Sequence, residues 1–176
     1  MGATDAQLLR TERLLLRPWT TSPRDLARLT DIYQREEITR WVGGTPSVPL
    51  DELVARWAAV SALDERYGCW AIECPDSEIA GTVLFKPLPN GVGEVEVGWH
   101  LHPDSWGHGY ATEAARAVIE RGFAAGVPEV YAVVRPGNRA SMAVCARLGM
   151  QPLGRYRRWY GVELETFRLT APVVVE

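Results

Sequence analysis

Between Trp106 and Thr112 the sequence reads Trp-Gly-His-Gly-Tyr-Ala-Thr, a glycine turn that empties a strand into an alanine-rich amphipathic run. A helix opening there presents the backbone N–H groups of His108 to Thr112 at one spot beside the positive end of a helix dipole. Such a spot is a cradle for a pyrophosphate, and His108 is a further donor beside it. The strand that feeds the turn, Val92 to Leu101, carries titratable groups in alternation. Glu94, Glu96, Gly98 and His100 share one face, and Val95, Val97, Trp99 and Leu101 the other, provided no bulge intervenes. A carboxylate at Glu96 or an imidazole at His100 can therefore take a proton on the same side of the sheet. The histidines His100, His102 and His108 have no carboxylate or cysteine that completes a recognisable ligand set, so no metal is expected.

The elements that must position these groups follow from period and punctuation. Thr11 to Trp19 reads as a first strand, after which Ser22-Pro23-Arg-Asp25 supplies an N-cap, a proline at the first helical position and an acidic third residue. Leu26, Leu29, Ile32 and Tyr33 continue that helix at helical spacing. A loop over 42–49 separates it from a second helix with Leu50, Leu53, Val54, Trp57 and Val60 on one stripe. The period then changes. Residues 67–73 and 78–85 read as strands around a Cys-Pro-Asp-Ser turn, and with 92–101 they form an antiparallel meander. After a central helix over 107–125, Val130 to Val134 is a short apolar strand. Asn138 caps a helix that stops at Gly149, and two last strands, about 151–159 and 163–170, turn around Tyr160-Gly161.

With 176 residues and no linker or repeat, the chain reads as a single domain over 1–176. A net charge of −3 leaves no electrostatic footprint for nucleic acid. Cys69, Cys74 and Cys145 lack the spacing of a metal site and do not make a disulfide framework. No apolar leader follows a basic start and no window reaches the length of a membrane span, so a cytoplasmic protein without a membrane partner is expected.

Trp106-Gly-His-Gly109-Tyr-Ala111-Thr-Glu113 resembles the coenzyme-A loop of the GNAT superfamily, with Trp106 in place of the usual Gln or Arg. Thr11-Glu-Arg-Leu-Leu-Leu-Arg-Pro18, Glu96-Val-Gly-Trp99 and Asn138-Arg-Ala-Ser141…Leu148-Gly149 are similar, in order and spacing, to three further segments of its RimJ/RimL-like branch, the N-terminal acetyltransferases of ribosomal proteins. The resemblance implies an α/β (α+β) fold: a mixed, mostly antiparallel sheet with helices on both faces and splayed central strands. It implies an acetyl-CoA-dependent N-acetyltransferase that transfers the acetyl group directly to a primary amine, a protein N-terminus or a small molecule, within a ternary complex. A coenzyme-A-binding or sensing module without catalysis is the other reading, and a homodimer stays open.

The same resemblance assigns residues. Leu101 and its neighbours would pair with the pantetheine arm as an added strand would. Trp106, Gly107, His108, Gly109, Tyr110, Ala111 and Thr112 would hold the pyrophosphate, Asn138 and Ser141 the arm, and Arg147 the nucleotide phosphate. Glu96 is the first choice for the base, with His100 as the alternative. Ser141 is the proton donor to the departing thiolate, with Tyr160 as a rival whose phenol has a suitable intrinsic acidity. Asn138 is equally a plain N-cap, Ser141 plain first-turn filler, and Glu96 a plain strand carboxylate. Trp41, Trp57 and Trp70 are candidates either for the wall of the acceptor pocket or for the core.

Overall fold

In the computed structural model, which describes residues 7–173, the strand expected over Thr11 to Trp19 shortens to Leu15–Pro18, and a two-residue strand precedes it. The Thr11 hydroxyl accepts the Leu14 N–H at 2.9 Å, closing a turn between β1 (Leu9–Arg10) and β2 (Leu15–Pro18), which pair antiparallel. The outermost residues of the single-domain reading, 1–6 and 174–176, lie outside the described residues. Helix α1 (Pro23–Tyr33) starts where its cap predicts, with the Ser22 hydroxyl accepting the Asp25 N–H. Helix α2 (Glu36–Val42) was not expected. It is seven residues long, its N-cap Arg35 makes no capping bond, and it ends on left-handed Gly43, so it carries a stop signal without a start signal. Helix α3 spans Leu50–Leu63.

The meander follows as β3 (Gly68–Glu73), β4 (Ile79–Pro87) and β5 (Val95–Leu101). The last of these begins three residues later than the pattern suggests. The Leu88 N–H reaches back over the glycine turn to the Glu94 carbonyl at 2.8 Å, which puts Val92 to Glu94 in the connection. Then come α4 (Tyr110–Ala124), β6 (Glu129–Val134), α5 (Arg139–Arg147), β7 (Gln151–Tyr156) and β8 (Leu164–Thr170).

The eight strands make one sheet in the order β1-β2-β3-β4-β5-β6-β8-β7, antiparallel at every junction except β5 to β6. That parallel junction has a single matched pair, Glu96 with Tyr131, while β5 stays paired to β4 from Val95 to Leu101. Beyond Glu96 the two central strands part. The sheet is thus split in its middle, beside the carboxylate singled out in the sequence.

Alternation along β5 is unbroken. Val95, Val97 and Leu101 pack with Ala114, Ala115 and Val118 of α4, while Glu96 and His100 face the side of α1 to α3. Each fully buried branched side chain in that core contributes about 1.5–3 kcal/mol. Gly122 lets α4 lie close: a Cβ there would meet the Phe85 ring at 2.2 Å. On the opposite face Trp19, Leu29, Val54, Ala71 and Ile79 form a second cluster under α1 and α3. Trp70 belongs to the α4 core, 2 % exposed, its indole donating to the Gln7 carbonyl, and so is no wall of a pocket.

Candidate active site

A cavity of about 1080 Å³ opens where β5 and β6 part. Of the catalytic and coenzyme-binding residues that the sequence nominated, its wall includes all but His108: Glu96, His100, Leu101, Trp106, Gly107, Gly109, Tyr110, Ala111, Thr112, Asn138, Ser141, Arg147 and Tyr160.

One end is built from backbone. Gly107 and Gly109 stand at φ +79° and +78°, left-handed values that side chains rarely adopt, so the helix cannot begin at 107 and instead starts at Tyr110. The amides of Tyr110, Ala111 and Thr112 consequently have no intrahelical acceptor and open into the cavity. Arg147 sits beside them, its Nε donating to the Thr112 hydroxyl at 3.2 Å. Cations and amides converging on one place suit a pyrophosphate.

A clasp from the N-terminal hairpin holds this turn. Glu113 accepts from the Thr11 hydroxyl at 2.6 Å, the Arg13 N–H at 2.8 Å and the Arg13 Nε at 2.7 Å, and Arg13 also donates to the His108 carbonyl at 2.8 Å. The Arg13 guanidinium lies 4.8 Å over the Tyr110 ring, and the His108 imidazole stacks on that ring at 5.2 Å. His108 itself does not line the cavity: its ring stacks on Tyr110, which does, and its carbonyl is the part of the residue that Arg13 holds.

Leu101 and Trp106 are coupled. The Trp106 indole donates to the Leu101 carbonyl at 2.9 Å, so an acceptor that was expected to serve a coenzyme amide already has a donor. Asn138 behaves as an N-cap, its Oδ1 accepting the Ser141 N–H at 3.2 Å. The Ser141 hydroxyl has no partner among the described residues, and its residue lines the cavity.

The other end is built from side chains. Glu96 is 5 % exposed, and its Oε1 accepts the Tyr160 O–H at 2.6 Å and faces Lys86 Nζ at 3.1 Å. Oε2 has no partner among the described residues and is left for a proton. Burial, and then the neighbouring Glu96 carboxylate, push the Tyr160 phenol well above its ordinary range, so it remains a donor. The His100 ring lies 3.1 Å from the Tyr33 hydroxyl, and burial pulls its pKa down to about 4. A ring so weakly basic is neutral at pH 7 and is a poor proton acceptor there. Tyr33, Trp41 and Trp57 supply aromatic wall, and Glu37 and Arg135 charged wall. Cys69 lies near Glu96 and Lys86, but burial pushes its thiol up to about 12, which removes it as a nucleophile.

His102 is buried between Asp31 at 2.7 Å and Asp104 at 2.9 Å, and two arginines complete this cluster, Arg28 through a bidentate pair with Asp104 and Arg35 through Asp31 at 3.0 Å. Among the described residues no group of histidine, cysteine and carboxylate side chains could hold a metal, and no helix is long and apolar enough to cross a membrane. Sequence reasoning missed Lys86, Glu37 and Arg135. Lys86 becomes visible only through the β4–β5 register, which sets it opposite Glu96; the other two carry no motif.

The family model described as the acetyltransferase (GNAT) domain matches residues 13–151. The uncharacterized N-acetyltransferase YoaA of Bacillus subtilis (strain 168) is 30% identical over 156 residues, 86% of this chain and 87% of that protein. Among solved structures, an acetyltransferase from Agrobacterium tumefaciens str. C58 superposes with a TM-score of 0.78 at 28% identity, covering 96% of this chain and 97% of that one. Mycobacterium smegmatis RimJ, in complex with CoA-disulfide, shares the fold with a TM-score of 0.70 at 22% identity over 90% of this chain and 82% of its own. With the matched model spanning the turn, the split sheet and Glu96, the chain belongs to the GNAT acetyltransferase family and is an N-acetyltransferase.

Proposed function

We propose that the chain is one domain of the RimJ/RimL-like kind that takes acetyl-CoA as donor and transfers the acetyl group directly to a primary amine. The observation that carries this reading is the continuity of the cavity: the amides of the glycine turn, the open edge of β5 and the free oxygen of Glu96 line one space. The family uses acetyl-CoA, and the Mycobacterium smegmatis RimJ structure holds a coenzyme-A derivative, which supports the same donor here. The turn amides and Arg147 hold the diphosphate and nucleotide, and the one-sided edge of β5 runs along the arm.

Chemistry then needs little. Glu96 takes one proton from the acceptor ammonium, directly or through a water, while Tyr160 and Lys86 keep its carboxylate in place. The amine lone pair attacks the thioester carbonyl carbon. The tetrahedral intermediate collapses with the C–N bond formed and the C–S bond broken, the nitrogen loses its second proton, and the thiolate gains one from Ser141 or water. Ammonium and acetyl thioester become acetamide, free thiol and one released proton. No enzyme nucleophile enters, in keeping with the protonated Cys69.

The test is thiol release from acetyl-CoA across a panel of amines, with products identified by mass. Thiol should appear only with an acceptor, and the acceptor should gain one acetyl group. Thiol released at the same rate without any amine, or acetyl-CoA that fails to bind at all, would overturn the reading.

A further inference from the structure

We infer that the acceptor carries its own carboxylate, as an α-amino acid with an apolar side chain does, and that Arg135 holds that carboxylate; this rests on the acetyl-transfer reading above. Two arginines line the cavity, Arg147 and Arg135. Arg147 is engaged with Thr112 at the coenzyme end. Arg135 lies toward the other end. Along β6, Val130, Ala132 and Val134 pack into the core beneath α4, whereas Tyr131 and Val133 pack with Trp159 on the opposite face. Arg135 continues the second set, and its guanidinium lies 3.7 Å from where a Cβ on Gly43 would stand, at the loop that follows α2.

No carboxylate, carbonyl or ring among the described residues pairs with the Arg135 guanidinium. A partly buried cation in a cavity walled by Tyr33, Trp41 and Trp57 is a place for an anion brought in from outside. The coenzyme's anionic groups have the glycine turn and Arg147, which leaves Arg135 for the acceptor.

Spacing and sign narrow the acceptor further. Glu96 pairs with Tyr131, and Arg135 follows four residues later, about 13 Å along the strand at ~3.3 Å per residue. Two long side chains reaching in from the ends of that interval leave a short span with a proton acceptor at one end and a cation at the other. A free amino acid matches it, ammonium toward Glu96, carboxylate toward Arg135, side chain against the aromatic wall. A polyamine would set a second cation against Arg135, and a peptide N-terminus would offer it only a neutral carbonyl.

The experiment uses the full chain with acetyl-CoA and apolar L-amino acids, the amide and the decarboxylated amine of each, tripeptides with the same first residue, and spermidine. Free amino acids should exceed their amides and decarboxylated amines in kcat/KM by at least ~10-fold. Arg135→Gln should raise the amino-acid KM roughly 10- to 100-fold, with the acetyl-CoA KM and the rate on the amide unchanged within about twofold, and Arg135→Lys should recover part of the loss. Amides, peptides or spermidine that equal or surpass the free acids would overturn the inference. So would a rise in acetyl-CoA KM in Arg135→Gln, which would give the arginine to the coenzyme. Thiol release from no amine at all would instead overturn the acetyl-transfer reading, a different outcome from turnover without preference for a carboxylate.

Discussion

Replacing Glu96 by glutamine isolates one atom. The glutamine carbonyl keeps the place of Oε1, so the Tyr160 O–H at 2.6 Å and Lys86 Nζ at 3.1 Å still have an acceptor. The second position, unpartnered in the native chain, becomes an NH₂ that holds no lone pair for a proton. The expected loss is therefore that of general-base catalysis, about 10²- to 10⁴-fold in kcat. Stability should move less than activity. The charge left without a counterion is that of Lys86, 27% exposed, which keeps the glutamine carbonyl as an acceptor, so the cost is about 1–3 kcal/mol, and a domain of this size then melts ~2–12 °C lower.

The assay is steady-state thiol release at saturating acceptor, with acetyl-CoA affinity and melting temperature measured on the same preparation. Tyr160→Phe is the companion: it removes the 2.6 Å bond and leaves the carboxylate, so kcat should fall only about 10-fold. A Glu96→Gln enzyme within threefold of wild type would refute the assignment of the base. A large fall matched by an equal fall in acetyl-CoA affinity, or accompanied by a melting temperature more than ~12 °C lower, would refute it too, since Glu96 would then be holding structure rather than a proton.

Three other outcomes are expected. Gly109→Asp places a carboxylate at the N-cap of α4, where the cavity must accept a pyrophosphate, and should raise the acetyl-CoA KM at least ~10-fold; an unchanged KM in a folded variant would refute the cradle. Thr11→Val removes the hydroxyl that both donates to Glu113 and accepts from Leu14, and should weaken acetyl-CoA binding roughly 2- to 12-fold while sparing kcat, measured by isothermal titration; no change would show that the hairpin clasp does not hold the turn. His100, with a folded pKa of about 4 against 6.5 in water, leaves the unfolded chain binding more protons between those values. Stability should thus fall as pH drops from 6.5 toward 4, by up to about 3 kcal/mol, and urea unfolding of His100→Gln should show a correspondingly smaller loss between pH 7 and 4.5; equal losses would mean that the ring is not held neutral.

The two halves of the cavity were not equally legible, and the reason is physical. The donor half is built from backbone conformation, and backbone conformation leaves a mark in sequence. Gly107 and Gly109 must be glycine to stand at φ near +80°, Asn138 must be a small polar residue to cap α5, and both constraints act between neighbours in the chain. The starts of α1 and α5 were readable for the same reason. Helix α2 was not, because it has only a stop, Gly43, and its stability comes from packing Ile38 rather than from a local cap. Trp70 gave no sign of which face it would take, since a tryptophan in a strand suits a core or a wall equally.

The acceptor half depends on pairs that only tertiary structure makes. Lys86 acquires a role because a register of seven residue pairs sets β4 against β5 and brings it opposite Glu96. Arg135 acquires one because it follows a strand that pairs with β5 at one residue and then leaves it, and because Gly43, ninety-two positions earlier, closes over it. Such a half can change partner by partner without disturbing the glycine turn, for among the described residues no acceptor-side residue shares a hydrogen bond with Gly107, Gly109 or Thr112. Coupling between the halves runs through β5, where Glu96 lies at the point of divergence and Leu101, tied to Trp106, lies at the mouth of the turn, and through the Asn138 N–H, which donates to the Arg135 carbonyl at 3.1 Å. A change that slides β5 by one residue would turn Glu96 into the α4 core and lose both halves at once, whereas a change at Arg135 should redirect the acceptor and leave the donor bound.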